Sequence, residues 1–151
     1  MIREYRASDL DRIMAIWLQG NEQAHHFIDA NFFKNNYELV KLLIPMSTVY
    51  VQDIDGTITG FIGLTENYIS GLFVDSAYQH QGNGQALIAK AKQQHNELFA
   101  HVYVQNTAAI AFYQSQGFEI DSQSINEETN QPEYLMACRV EHNVKIGKCA
   151  L

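Results

Sequence analysis

Two short runs of this sequence carry residue types whose spacing could do chemistry. The first is Leu72-Phe73-Val74-Asp75-Ser76-Ala77-Tyr78-Gln79-His80-Gln81-Gly82-Asn83-Gly84-Gln85, a β-rich stretch, a polar turn and two alternating glycines at the entry of a helix. Such an arrangement aims free backbone N–H groups at one point with a helix dipole behind them. Without a Cβ, glycine lets a diphosphate approach the main chain, so no neighbouring Lys is needed. No Lys-Ser/Thr follows the glycines, and the third glycine and distant acid of a dinucleotide fingerprint are missing. Taken alone, the two glycines also suit an ordinary tight turn. The second run is Asn106-Thr107-Ala108-Ala109-Ile110-Ala111-Phe112-Tyr113-Gln114-Ser115-Gln116-Gly117-Phe118. Asn106 is a helix N-cap, and Tyr113 stands two turns further along the same face. A phenol is protonated at pH 7 and can donate to a group that develops negative charge. Taken alone, Phe112 and Tyr113 read as core residues and Asn106 as a cap.

The elements that position these runs follow from periodicity. Residues 1–6 alternate like a strand, and Ser8 or Asp9 caps a helix with Leu10, Ile13, Ile16 and Trp17 at helical spacing, stopped at Gly20. A second helix is predicted from Asp29 to Leu43, with Phe33, Tyr37, Val40 and Ile44 on one face and Pro45 closing it. Strands follow over 48–52 and 57–65 around an Asp55-Gly56 hairpin turn, then over 69–74. Residues 81–96 read as a helix, 98–104 as a strand, 107–116 as a helix with Gly117 as its cap, and 118–124 and 134–140 as a closing strand pair. This order predicts an α+β fold, one mixed, mostly antiparallel sheet of about seven strands with about four helices on its two faces. One domain spans 1–142, and 143–151 reads as a docked or loose tail.

Composition narrows the function. The chain has 151 residues and suits one domain; 46% are hydrophobic and 18% charged. A formal charge of -7 argues against a nucleic-acid partner, which rewards basic patches. Two cysteines, Cys138 and Cys149, are too few for a disulfide framework, so reduced cytosolic thiols are expected. The charged start and the lack of any apolar run of about 18 residues predict a cytoplasmic protein without membrane contact, as monomer or homodimer.

Taken together, the two runs resemble motifs A and B of the GNAT N-acetyltransferase superfamily. Gln79-His80-Gln81-Gly82-Asn83-Gly84 matches the Q/R-x-x-G-x-G/A loop, and Asn106 to Phe118 matches N-x-x-A-x-x-F-Y-x-x-x-G-F. The resemblance implies a three-layer α/β/α sandwich and acetyl-coenzyme A as co-substrate, with no metal. The loop amides from Gln79 to Gln85 would hold the pyrophosphate. The main chain of Leu72 and Val74 would lie along the pantetheine arm, which the Asn106 side chain would contact, with Phe73, Ala109 and Phe112 also at the cofactor. Tyr113 would protonate the departing thiolate, and the amide of Val74 would face the oxyanion formed when an amine attacks the thioester. Where many relatives carry Arg or Lys in the loop, this chain has Gln and His, so binding would lean on backbone amides, with His80 the nearest possible cation.

The base that frees the amine is less plainly marked. His101 stands where peptide-acetylating relatives carry Glu, and histidine suits proton removal near neutral pH. It also reads as a polar strand residue packed beside the cofactor, and Glu66 is the next candidate. The segment Ala24-His25-His26-Phe27-Ile28 resembles one in small bacterial members described as protein lysine acetyltransferases, which implies His25 and Phe27 at the acceptor; Glu66, near the end of the hairpin strand, is also expected there. Adjacent histidines with no acid or Cys at ligand spacing are a weak metal signal. The expected acceptor is a protein lysine, an N-terminal amine or a small-molecule amine. The competing reading is a catalytically idle coenzyme A-binding module on the same fold.

Overall fold

The computed structural model describes residues 1–140; the predicted tail, 143–151, lies outside the described residues. Seven strands form one sheet in the order β1-β2-β3-β4-β5-β7-β6. They are β1 (Ile2–Glu4), β2 (Thr48–Ile54), β3 (Thr57–Thr65), β4 (Tyr68–Val74), β5 (Glu97–Tyr103), β6 (Glu119–Ile125) and β7 (Pro132–Arg139). The helices are α1 (Leu10–Ala24), α2 (Ala30–Leu43), α3 (Asn83–Gln94) and α4 (Thr107–Ser115). All pairs are antiparallel except β4 with β5. The predicted order and types of the elements are therefore observed.

The layers follow from strand alternation. On β2 and β3, Val49, Val51, Ile58 and Phe61 face α1 and α2, joining Ile13, Met14, Ile16 and Ile44. Tyr50, Ile62 and Leu64 face the other side, with Leu87, Ile88 and Ala91 of α3 and Tyr113 of α4. β3 is buried on both faces from Ile58 to Leu64, as a strand sandwiched between two helical layers must be. The Asp55-Gly56 turn takes left-handed backbone at both residues, φ 53° and 88°, as a two-residue hairpin turn requires. At the sheet edge Arg3 donates to both carboxylate oxygens of Asp9 at 2.9 Å and, through Nε, to Asp53 at 2.9 Å, tying β1, β2 and the entry of α1 together.

β4 and β5 are in register for only two pairs, Tyr68↔Phe99 and Ile69↔Ala100. Beyond Ile69 the strands separate, while β4 remains paired with β3 to Val74. The resulting wedge, bounded by α1, α3 and α4, is where the two conspicuous sequence runs converge.

One boundary differs from expectation. Gly20 does not stop α1; the helix continues through it to Ala24, and the 3₁₀ turn Ala7–Asp9 precedes its start. The glycine instead serves close packing, since a Cβ there would stand 2.6 Å from Cδ1 of Phe73. Alanine would gain about 1 kcal/mol of helix propensity but force the Phe73 ring aside, an overpacking cost of about 1–3 kcal/mol. Gly20→Ala is therefore expected to lower stability in urea unfolding by up to about 2 kcal/mol, and a more stable variant would refute the close-packing role.

Candidate active site

The loop between β4 and α3 is built from the inside. Asp75 accepts from the amide of Ala77 at 2.8 Å and from Arg12 Nη2 of α1 at 2.6 Å. Those contacts, the Ala77 amide first, hold its carboxyl below the usual range. The side chain of Asn83 is 3% exposed, so it faces the interior and not a ligand. It donates to the carbonyl of Tyr78 at 2.8 Å and accepts from Thr59 at 3.4 Å. With the loop pinned this way, His80 and Gly82 take left-handed backbone, φ 62° and 83°. Among the described residues, no acceptor meets the amides of Gly82, Asn83, Gly84 or Gln85. Successive free amides at a helix start form a concave anion site. A Cβ on Gly84 would lie 3.2 Å from the Phe112 ring, so the glycine keeps α3 and α4 close at the cleft.

A cleft of about 480 Å³ runs from this loop along β4 to α4. Leu72, Phe73, Val74, Gln79, His80, Gly82, Asn83, Gly84, Gln85, Asn106, Ala109, Phe112 and Tyr113, all expected at the cofactor, line it. Gln81 does not. A diphosphate on the amides with an extended arm toward the wedge fits this cleft, whose walls are mainly apolar apart from the loop. The amide of Asp75 donates to Thr59 of β3 at 2.8 Å. Strand alternation therefore turns Phe73 toward β3 and the N–H groups of Leu72 and Val74 into the wedge.

A second cavity of about 190 Å³ lies beyond the wedge, lined by Trp17, Asn21, His25, His101, Tyr103 and segments of β4 and β5. Leu72, Phe73, Asn106, Ala109 and Tyr113 belong to both cavities, so the two spaces meet there. Tyr113 is 8% exposed, its ring held edge-on by Phe112 and Phe118. Burial pushes its phenol well above the ordinary range, and among the described residues its hydroxyl has no hydrogen-bond partner.

His101 is exposed on β5, and its Nδ1 lies 2.8 Å from the hydroxyl of Tyr68. Burial, followed by the charge of Glu133, raises the Tyr68 phenol. Glu66 is not brought to the site: it sits exposed in the β3–β4 turn, φ 54°, and lines neither cavity. Neither cavity has a carboxylate in its lining. Phe27 packs edge-on against His25 and Tyr103 without lining either space.

His25 is held by two asparagines. Asn21 Nδ2 donates to the Trp17 carbonyl at 2.9 Å, so its Oδ1 is the atom 3.0 Å from His25 Nδ1. Asn106 Oδ1 accepts from the Ala109 amide at 3.2 Å, so its Nδ2 is the atom 3.0 Å from His25 Nε2. His25 must therefore donate from Nδ1 and accept at Nε2, the neutral Nδ1–H tautomer. Tyr68 and Tyr103 escaped the sequence reading because nothing in their spacing signals a site; each is placed by a long-range contact. The Asn21–His25 pair is separated by four residues, one helical turn, and was the one signal available.

Among the described residues no group of three or more His, Cys, Asp or Glu is placed to hold a metal ion, and no helix is long and apolar enough to cross a membrane. Cys138 is free and buried, with its thiol pushed up by burial.

The profile described as acetyltransferase (GNAT) domain matches residues 45–120. The peptidyl-lysine N-acetyltransferase YiaC of Escherichia coli K12 is 34% identical over 139 residues, 91% of this chain and 95% of that one. The chain belongs to the GNAT acetyltransferase family. The solution structure of apo-form YjaB from Escherichia coli superposes with a TM-score of 0.81 at 26% identity, covering 91% of this chain and 95% of that one. An acetyltransferase from Bacillus anthracis, solved in complex with acetyl coenzyme A, superposes with a TM-score of 0.58 at 26% identity over 63% of each chain. The family assignment and the fold agree with what the two motifs imply.

Burial lowers the pKa of His25 from 6.5 to about 4. In that interval the unfolded chain binds a proton that the folded chain does not, so stability is level above pH 6.5 and falls as pH drops toward 4. At about 1.4 kcal/mol per pH unit, the loss reaches about 3 kcal/mol. Carboxylates Asp9 and Asp53, lowered chiefly by Arg3, and Asp75 lose their stabilisation in a separate window, from about 3.8 downward. Replacing His25 by Phe is expected to flatten the pH dependence of Tm between 6.5 and 4, and an unaltered slope there would exclude His25 as its source.

Proposed function

We propose that this GNAT acetyltransferase moves the acetyl group of acetyl-coenzyme A onto a lysine side chain of a peptide or protein. The observation that carries this reading is the meeting of two cavities at Tyr113 inside the β4–β5 wedge. One cavity suits a diphosphate with a long arm, and the other suits a slender amine. Coenzyme A would be held by the amides of Gly82 to Gln85 at its pyrophosphate and by Leu72, Val74 and Asn106 along its arm, supplying a thioester at the junction.

The acceptor reading rests on shape, charge and relatives. A space of about 190 Å³ walled by Trp17, Phe73 and Tyr103 suits one unbranched alkylamine better than a branched polycation. Glu133 lies within electrostatic reach of Tyr68 and Tyr103 at this end of the sheet, which favours an approaching cation. Relatives of this length are named peptidyl-lysine N-acetyltransferases.

The mechanism is direct attack. The lysine ammonium must first lose a proton, and His101 is the residue proposed to take it, directly or through water, with Tyr68 orienting its ring. His25 is unsuited to that task because both ring nitrogens are already engaged. The neutral amine then attacks the thioester carbonyl, and the Val74 amide faces the oxyanion. As the C–S bond breaks, Tyr113 gives its proton to the thiolate. The phenol is protonated at neutral pH and so carries the proton that the thiolate takes as it leaves.

Thiol release with a lysine-containing peptide, followed by a mass gain of one acetyl on that peptide, tests the activity directly. Tyr113→Phe is expected to reduce kcat about 100-fold while leaving the KM for acetyl-coenzyme A near that of the wild type. Full turnover in that variant would remove the acid role. His101→Gln is expected to show a kcat deficit that shrinks as pH rises toward the amine pKa of about 10, where the acceptor needs no base. A deficit independent of pH would assign His101 to packing.

A further inference from the structure

The hydrogen-bond chain from Trp17 to Ala109 has fixed polarity at both ends. A backbone carbonyl can only accept and a backbone amide can only donate, so neither asparagine can flip without breaking a bond. The chain runs from α1, which borders the acceptor cavity, through His25 to Asn106, which borders both cavities. A primary amide nitrogen carries two hydrogens. On Asn106 one points to His25, which leaves the other for a ligand.

We infer that His25 is a positioning residue that orients the Asn106 amide so that its remaining N–H is presented to an amide carbonyl of the coenzyme A arm. This rests on the proposed contact of Asn106 with coenzyme A. Without an acceptor at His25 Nε2, the amide keeps its cap bond to Ala109 but loses the second tether that fixes its plane. The imidazole is itself locked, stacked on Phe33 with centroids 5.9 Å apart and met edge-on by Phe27 and Tyr103 at 5.7 and 5.0 Å. The loop at the acceptor side thereby helps to set the cofactor side, and His25 does so without contacting the reacting atoms.

Two measurements test this. In the wild-type protein at neutral pH, imidazole nitrogen chemical shifts are expected to show His25 as the Nδ1–H tautomer; the Nε2–H tautomer or a rapidly exchanging mixture would overturn the inference. The second is a double-mutant cycle read by calorimetric titration with acetyl-coenzyme A. His25→Phe keeps the aromatic packing, and Asn106→Ser keeps an N-cap for α4. Each single variant is expected to weaken binding about tenfold, and the double variant no more than Asn106→Ser alone. An additive cycle would overturn the positioning role while leaving the Asn106 contact standing. Unchanged affinity in Asn106→Ser would instead overturn that contact, and the positioning of Asn106 for coenzyme A with it, even where the tautomer is as expected.

Discussion

The structure depends on where β4 and β5 stop pairing. Strands held together for only two residue pairs and then forced apart leave main-chain N–H and C=O groups facing a gap inside a sheet. Unpaired backbone groups away from water are costly, so such a gap persists only if water or a ligand fills it. The wedge is therefore a defect in the sheet and the candidate site for an extended ligand. A ligand with amide groups at strand spacing, as in the pantetheine arm, would restore the missing ladder in part. Everything else in the layers serves to keep the gap open: α3 and α4 on one face, α1 on the other, and Phe73 between them beneath the glycine of α1.

An anion site in a chain of formal charge -7 needs precise backbone, because no long-range attraction assists it. That precision comes from side chains that never face the ligand. Arg12 reaches from α1 to Asp75, and Asn83 turns inward to Tyr78 and Thr59. These contacts define the loop from behind, leaving the amides of Gly82 to Gln85 pointing outward. Any contact of Asn83 with the cofactor would therefore fall to its main chain, because its side chain is engaged with Tyr78 and Thr59.

Much of the fold was legible because its signals are local. Alternation, caps and the Asp55-Gly56 turn report on neighbours in sequence, and the observed elements follow them within a few residues. The two motif runs were legible for the same reason, since each places its chemistry on one turn or one helix. The misreadings share a physical origin. Gly20 looked like a helix stop, but its role is set by Phe73, over 50 positions away. Glu66 looked close to the site along the strand, but the β3–β4 turn carries it to the opposite end of β4 from the phosphate loop. Sequence distance along a strand does not reveal which end of the sheet a cavity occupies. Tyr68 and Tyr103 gain their meaning only from the partners that folding brings to them.

The two histidines of the smaller cavity show how environment divides identical side chains. His25 is surrounded by rings and two asparagines, and burial lowers its pKa. Its nitrogens are both committed, and a second proton would set an N–H of the ring against an N–H of Asn106. A residue so placed can define geometry but cannot carry protons. His101 stands on an exposed strand position with one nitrogen toward Tyr68 and the other unengaged among the described residues. Proton traffic requires a free lone pair and a route to water, and of the two only His101 has both. Under the proposed mechanism, the His101 imidazole would be the proton acceptor at this point of β5 and the Tyr68 phenol its orienting partner.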